Sequence, residues 1–114
     1  MCMDSKLKQV TNVVTKGAQT ILGNKLQRII LYGSYARGDY TVESDVDIMV
    51  LADFSDDERR LCQKMLNKVA SDVSLECDVT VSIMLRTPEV FTMRIEYVPF
   101  YRNVHSEGVE IYAT

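Results

Sequence analysis

Apolar residues at the start of the chain recur at helical spacing. From Ser5 to Leu22 they fall at Leu7, Val10, Val14, Ala18 and Ile21, a single stripe of a 3.6-residue period. Gly23-Asn24 follows as a stop signal, because glycine is favoured just past a helix end. The pattern then changes. Leu26 to Tyr32 carries the apolar run Ile29-Ile30-Leu31-Tyr32 and ends at Gly33, and its length and β-branched content predict a strand buried on both faces. The stretch GSYARGDYTVES is too polar and glycine-rich for one continuous element, although its first half can begin a short helix.

Alternation appears at Asp45 to Leu51, which predicts a half-buried strand. Val46, Ile48 and Val50 take one face, and Asp45, Asp47 and Met49 take the other. Ser55-x-x-Glu58 is a capping-box pattern opening a second helix, with Leu61, Met65, Val69 and Val73 on its core side. Glu76 to Met84 alternates again, setting Val79, Val81 and Ile83 opposite Glu76, Asp78, Thr80 and Ser82. Pro88, after Thr87, suits the first position of a short helix. In residues 98–114 aromatics mix with Pro99 and Gly108, and only Val109 to Tyr112 reads as a strand. The order helix, strand, loop, strand, helix, strand predicts an α/β (α+β) fold, a small mixed sheet flanked by helices. The expected organisation is a single domain over residues 1–114, with 98–114 as a tail packing on it or on a partner.

Composition narrows the function classes. Hydrophobic residues make up 46% and charged residues 25%, which are the proportions of an ordinary globular domain. Thirteen Lys and Arg against 16 Asp and Glu leave a net charge of −3, which disfavours a clamp on long nucleic acid. A nucleotide substrate is still compatible, since a metal ion can carry its charge. Cys2, Cys62 and Cys77 are odd in number and widely spaced, so neither a disulfide framework nor a structural zinc site is expected. No stretch reads as a signal peptide or a membrane span, and the expected location is cytoplasmic.

Chemistry concentrates on the polar face of the Asp45 strand. Residues i and i+2 of a strand share a face about 6.5–7 Å apart. Two ionised carboxylates there repel by ~2–3 kcal/mol at an effective dielectric near 20. A divalent cation between their oxygens offsets that cost, and Mg²⁺ prefers carboxylates together with substrate phosphates. An isolated DxD, however, is more often a solvated face. Asp78, on the polar face of the next predicted strand, is expected to join Asp45 and Asp47. Three such carboxylates can hold two metals about 3.5–4 Å apart and support in-line displacement at phosphorus. In this scheme Asp45 and Asp47 bind both ions and Asp78 binds the catalytic one, with Glu76 as the competing candidate. Gly33 at a strand end permits close approach to the backbone, and Ser34 can start a helix turn that receives phosphate oxygens. Taken alone, Gly33-Ser34 is more simply a capped turn. Asp39-Tyr40 after Gly38 excludes a Walker A loop.

Gly33-Ser34, ten intervening residues and then Asp45-x-Asp47 is far more specific than either part. The stretch GSYARGDYTVESDVDIMV resembles the active-site signature of the DNA polymerase β-like nucleotidyltransferase superfamily, and most closely its minimal nucleotidyltransferase (MNT) domains. The resemblance runs from the first helix to about Met84 and implies a polymerase β palm-like fold. It implies ATP as substrate, Gly33 and Ser34 as phosphate-binding, and Asp45, Asp47 and Asp78 as catalytic ligands of two Mg²⁺ ions. Arg37 and Ser44 also match the pattern. Arg37 reads as a phosphate contact or as an ion pair with Asp39 or Glu43, and Ser44 as a local hydrogen bond at the start of the strand.

Larger members of that superfamily carry further domains for the acceptor, so acceptor recognition is expected from another protein. Minimal members include antitoxins paired with HEPN-family RNases. Some of these transfer AMP to a tyrosine hydroxyl of the partner, and others neutralise it by binding. The resemblance therefore implies AMP transfer to a protein hydroxyl, with a HEPN-type toxin as partner and homo- or hetero-oligomers both open. The rival readings are an antitoxin that binds nucleotide without chemistry and a small-molecule nucleotidyltransferase. His105 and the cysteines read as ordinary core or surface residues. Tyr97, Phe100, Tyr101 and Tyr112 read as packing on their own domain, with a partner interface as the alternative.

Overall fold

The computed structural model describes residues 5–114. Helix α1 spans Ser5–Leu22 and buries Leu7, Val10, Val14 and Ala18 as the periodicity predicts. After a single 3-10 turn at Gly23–Lys25 comes β1, Leu26–Tyr32, followed by the short helix α2, Ser34–Arg37. Strand β2 (Val46–Ala52), helix α3 (Asp56–Cys77) and strand β3 (Val81–Arg86) form a strand–helix–strand unit. Because β2 and β3 are parallel neighbours, no tight turn can join them, and α3 makes the crossover. Helices α4 (Pro88–Ile95) and α5 (Pro99–Glu107) lead into β4, Val109–Ala113.

The sheet order is β3-β2-β1-β4, with β1 antiparallel to both β2 and β4. Ile29, Leu31, Ile48, Val50, Ile83 and Leu85 face α1 and α3, where they meet Val10, Val14, Leu66 and Val73. Ile30, Met49 and Leu51 point the other way, into a second core made by Phe91 of α4 and by Tyr101 and Val104 of α5. The two central strands are therefore apolar on both faces. That was expected for β1. For β2 it corrects the half-buried reading, because α4 and α5 cover the face that holds Met49.

Two further expectations change. In α3 the inward residues are Leu66, Ala70, Val73 and Cys77, while Leu61 is 61% and Met65 43% exposed. A strict four-residue spacing drifts by about 40° per step on a helix of 3.6 residues per turn, so Leu61 sits about 120° from Val73. The helix also runs through Glu76 and Cys77, ending on Asp78 in the left-handed conformation (φ 53°, ψ 51°). Asp is one of the few residues that tolerates this conformation, and β3 begins only at Val81. Residues 98–114, expected as a tail packing on the domain or on a partner, carry α5 and β4, and β4 pairs with β1. Gly108, between α5 and β4, packs so closely that a Cβ would lie 2.3 Å from the Val104 carbonyl and 2.5 Å from Ile30 Cγ2.

Candidate active site

Asp47 is the second residue of β2, and the sheet register sets it between Tyr32 of β1 and Ser82 of β3. It shares a face with Met49 and Leu51, but it lies at the strand's first end and stays half-buried. Asp45, just before the strand, is exposed. The Asp47 carboxyl is held above its ordinary pKa, first by burial and then by the negative charge of Asp45, with Arg37 pulling the other way. The two carboxylates thus feel each other, as their i, i+2 spacing requires.

Gly33 completes this corner. Its backbone (φ 76°, ψ −155°) lies in a region open essentially to glycine, and a Cβ there would stand 2.6 Å from Asp47 Oδ2. The glycine lets the turn after β1 run directly against the carboxylate. Its carbonyl accepts from the Ala36 and Arg37 N–H groups, both at 3.1 Å, starting α2 with Ser34 as its first residue. Gly38 (φ 86°) ends this single turn of helix.

Arg37 bridges two acids, Asp39 at 3.2 Å and Glu107 of α5 at 3.3 Å. The ion-pair reading therefore applies, with Glu107 rather than Glu43 as the second partner. Ser44 Oγ accepts the Thr41 N–H at 2.8 Å, and the Ser44 N–H donates to the Thr41 carbonyl at 3.1 Å. This is the local hydrogen-bonded turn expected before β2. Tyr32, Gly33, Arg37, Asp47, Phe100 and Glu107 line a depression of about 250 Å³. Burial, then the Asp47 charge, push the Tyr32 phenol up to about 12, so it keeps its proton at neutral pH. Phe100 meets the Tyr32 ring edge-on at 5.6 Å.

The expected third carboxylate is not brought into this group. Asp78 caps α3 and lines a separate depression with Lys6, Tyr35 and Tyr40. Glu76 is on α3, where it accepts a hydrogen bond from Gln9 of α1 at 3.4 Å. Among the described residues no three His, Cys, Asp or Glu side chains gather as a metal cluster. The residue that β3 places beside Asp47 is Ser82. Tyr32, Ser82, Phe100 and Glu107 were absent from the sequence-based site. Tyr32 could have been found from its place immediately before Gly33, whereas nothing local marked the other three.

Of the remaining sequence candidates, His105 is exposed and meets the Phe91 ring edge-on. Cys62 and Cys77 are free thiols, and Cys2 lies outside the described residues. Tyr101 and Tyr112 pack on their own domain, while Tyr97 remains 62% exposed.

The turn at Gly33 presses against Asp47, Asp45 stands just before β2, and this corner lies inside the stretch shared with a known family. The chain belongs to the nucleotidyltransferase domain family, whose model matches residues 16–105. Two proteins of Methanocaldococcus jannaschii carry the name "putative protein adenylyltransferase". One is 41% identical over 96 residues, covering 84% of this chain and 89% of its own length. The other is 39% identical over 89 residues, covering 77% and 80%. Among solved structures, a toxin–antitoxin complex with AMP-PNP contains a chain 25% identical to this one, with a TM-score of 0.59 over 91% of this chain and 73% of that one. The protein is thus a nucleotidyltransferase with the mixed-sheet fold of the MNT proteins.

Proposed function

We propose that this nucleotidyltransferase moves AMP from ATP to a hydroxyl group on a partner protein, acting as an antitoxin-like protein adenylyltransferase. The observation that carries the reading is the Asp45–Asp47 pair beside Gly33. Two hard oxygen donors that repel each other, at a turn with no side chain to block approach, fit a divalent cation bearing a polyphosphate. Mg²⁺ is the ion we assign, held by Asp45 and Asp47. When bound, it supplies charge neutralisation along the triphosphate and orientation for in-line attack at the α-phosphorus.

The chain's own residues do the rest. Gly33 leaves room for phosphate, and Ser34 presents its N–H and hydroxyl at the start of α2. Arg37 stands at the rim of the same depression, where it can turn from Glu107 to a phosphate oxygen. Tyr32 remains a proton donor and takes no part as a base. The acceptor oxygen forms the new bond to the α-phosphorus, the bond to the β-phosphate breaks, pyrophosphate leaves and the acceptor's proton is released. Both M. jannaschii relatives bear a protein-adenylyltransferase name, which supports protein as the acceptor class. The toxin–antitoxin complex supports a toxin as that protein, which we take to be of HEPN type, in the cytoplasm where ATP is available.

One observation favours a second reading, in which nucleotide binding alone serves neutralisation. The position beside Asp47 on β3 is a hydroxyl, Ser82, and among the described residues Asp78, at the end of α3, forms no three-carboxylate cluster with Asp45 and Asp47. A single experiment separates the two. ATP labelled at the α-phosphate is incubated with Mg²⁺, the protein and a lysate of the native host, with Asp45→Asn/Asp47→Asn as control. A labelled protein band that requires both aspartates supports transfer. No label under any nucleotide or metal condition removes the catalytic reading and leaves the binding one.

A further inference from the structure

At the opposite end of the sheet, where β2 and β3 finish side by side at Leu51 and Arg86, lies a second cavity of about 410 Å³. Its floor is apolar, with Phe54, Leu85 and Val90, and its walls carry Arg59 from α3, Arg86 from β3 and Arg94 from α4. Among the described residues the one acidic side chain lining it is Asp56, so three guanidiniums against one carboxylate leave a local charge of about +2.

The arginines are arranged without an anion to justify them. Arg86 donates from Nε to the Tyr101 hydroxyl at 3.0 Å, and Arg94 donates from Nη1 to the same oxygen at 3.0 Å. Arg86 also donates to the Leu85 carbonyl at 2.7 Å. Two half-buried cations are therefore drawn together on one neutral oxygen. Among the described residues neither of them, nor Arg59, has an ion-pair partner, although the other arginines near the sheet, Arg28 and Arg37, do. Like charges gathered at one cavity cost free energy that a bound anion recovers, the reverse of the argument for Asp45 and Asp47.

We propose that this cavity is a second ligand site, for a phosphomonoester with a flat apolar body. A phosphomonoester carries about −1.5 to −2 charge near neutral pH, which matches the site, and its three oxygens can take bidentate bonds from several guanidiniums. A carboxylate would leave about one positive charge unmet. The apolar floor fits an organic body rather than inorganic phosphate alone, and the volume falls in the usual range for small-molecule pockets. The cavity shares no lining residue with the Gly33–Asp47 corner, and its ligand does not depend on how that corner is used.

The test uses the full chain as Asp45→Asn/Asp47→Asn, in EDTA, so that metal-dependent binding at the first site is silent. Phenyl phosphate is titrated by calorimetry and by amide chemical shifts of Thr87 and Val90. Binding is expected, with both amides responding. Adding Arg59→Gln, an exposed position whose loss leaves the fold intact, or Arg94→Gln is expected to weaken it tenfold or more. Benzoate is expected to bind at least tenfold more weakly. The proposal is overturned if phenyl phosphate does not bind while the three arginines are present. It is equally overturned if Arg59→Gln leaves the affinity unchanged, or if benzoate binds as tightly.

Discussion

Replacing Gly33 by alanine puts two independent features of the site under strain. The first is the backbone: φ 76° with ψ −155° is a combination that a residue with a Cβ occupies at a cost of about 1–3 kcal/mol. The second is the contact. The new methyl would stand 2.6 Å from Asp47 Oδ2, where ordinary contact begins at 3.4 Å, so the carboxylate must retreat by roughly 1 Å. A destabilisation of about 1–3 kcal/mol lowers the melting temperature by about 4–12 °C in a domain of this size. A displacement of about 1 Å at the carboxylate proposed to hold the metal costs on the order of a hundredfold in transfer rate. Thermal denaturation and ATP-label transfer read these effects separately. A double-mutant cycle then assigns the contact, since Asp47→Ala removes the opposing oxygen and the alanine should cost less stability in that background. If Gly33→Ala melts with the wild type and transfers label at the same rate, the account of this corner is wrong. If its stability cost is unchanged beside Asp47→Ala, the backbone carries all of it and the close approach carries none.

Four shorter expectations rest on other parts of the fold. Asp47→Asn should raise the melting temperature of the metal-free protein while abolishing transfer, because the folded state penalises this carboxylate's ionised form; an unchanged or lower melting temperature contradicts that. Arg37→Gln should leave the melting temperature close to that of the wild type, as its ion pairs are exposed, yet raise the nucleotide's Kd several-fold in a binding titration. Ser55→Ala removes the side-chain acceptor of the Glu58 N–H and should cost about 1 kcal/mol in urea unfolding, with equal affinity for nucleotide. Glu58 is held down to about 2 by the Lys25 ammonium and then by the Ser55 backbone N–H. Its folded pKa lies below the ordinary 4.5, so its contribution is complete above that value and is lost as pH falls toward about 2. Melting curves between those limits should be flatter for Glu58→Gln than for the wild type.

How far the structure can be read from residues varies along the chain with how local the deciding interactions are. α1, β1 and the capping box at Ser55 follow from short-range patterns, and the structure keeps their boundaries. The Gly33-Ser34 turn and the Asp45-x-Asp47 pair were equally legible, since both are local and their spacing is specific. Asp78 was not. The segment Glu76-Cys77-Asp78 alternates like a strand, but Cys77 also continues the inward helical row from Leu66, Ala70 and Val73, and burial against α1 and β3 decided for the helix. α5 was hidden for a related reason. It buries only Tyr101 and Val104 in nine residues, too few to show a period, and its Pro99 marks a helix start as readily as a loop. Ser82 and Glu107 reach the site through strand register and helix packing, which no short window of sequence contains.

The position of β4 also bears on how the chain is made. β1 is synthesised well before β4, and its edge away from β2 pairs with Val109–Ala113, which brings Arg28 beside Ala113. Until those residues are available, one of the most apolar strands keeps an open row of backbone donors and acceptors, the kind of edge that recruits other chains. Closing so long a loop is slow compared with local helix formation. The unfinished polypeptide therefore spends its synthesis with a template for self-association exposed, and completing the sheet is the step that makes the protein safe to accumulate.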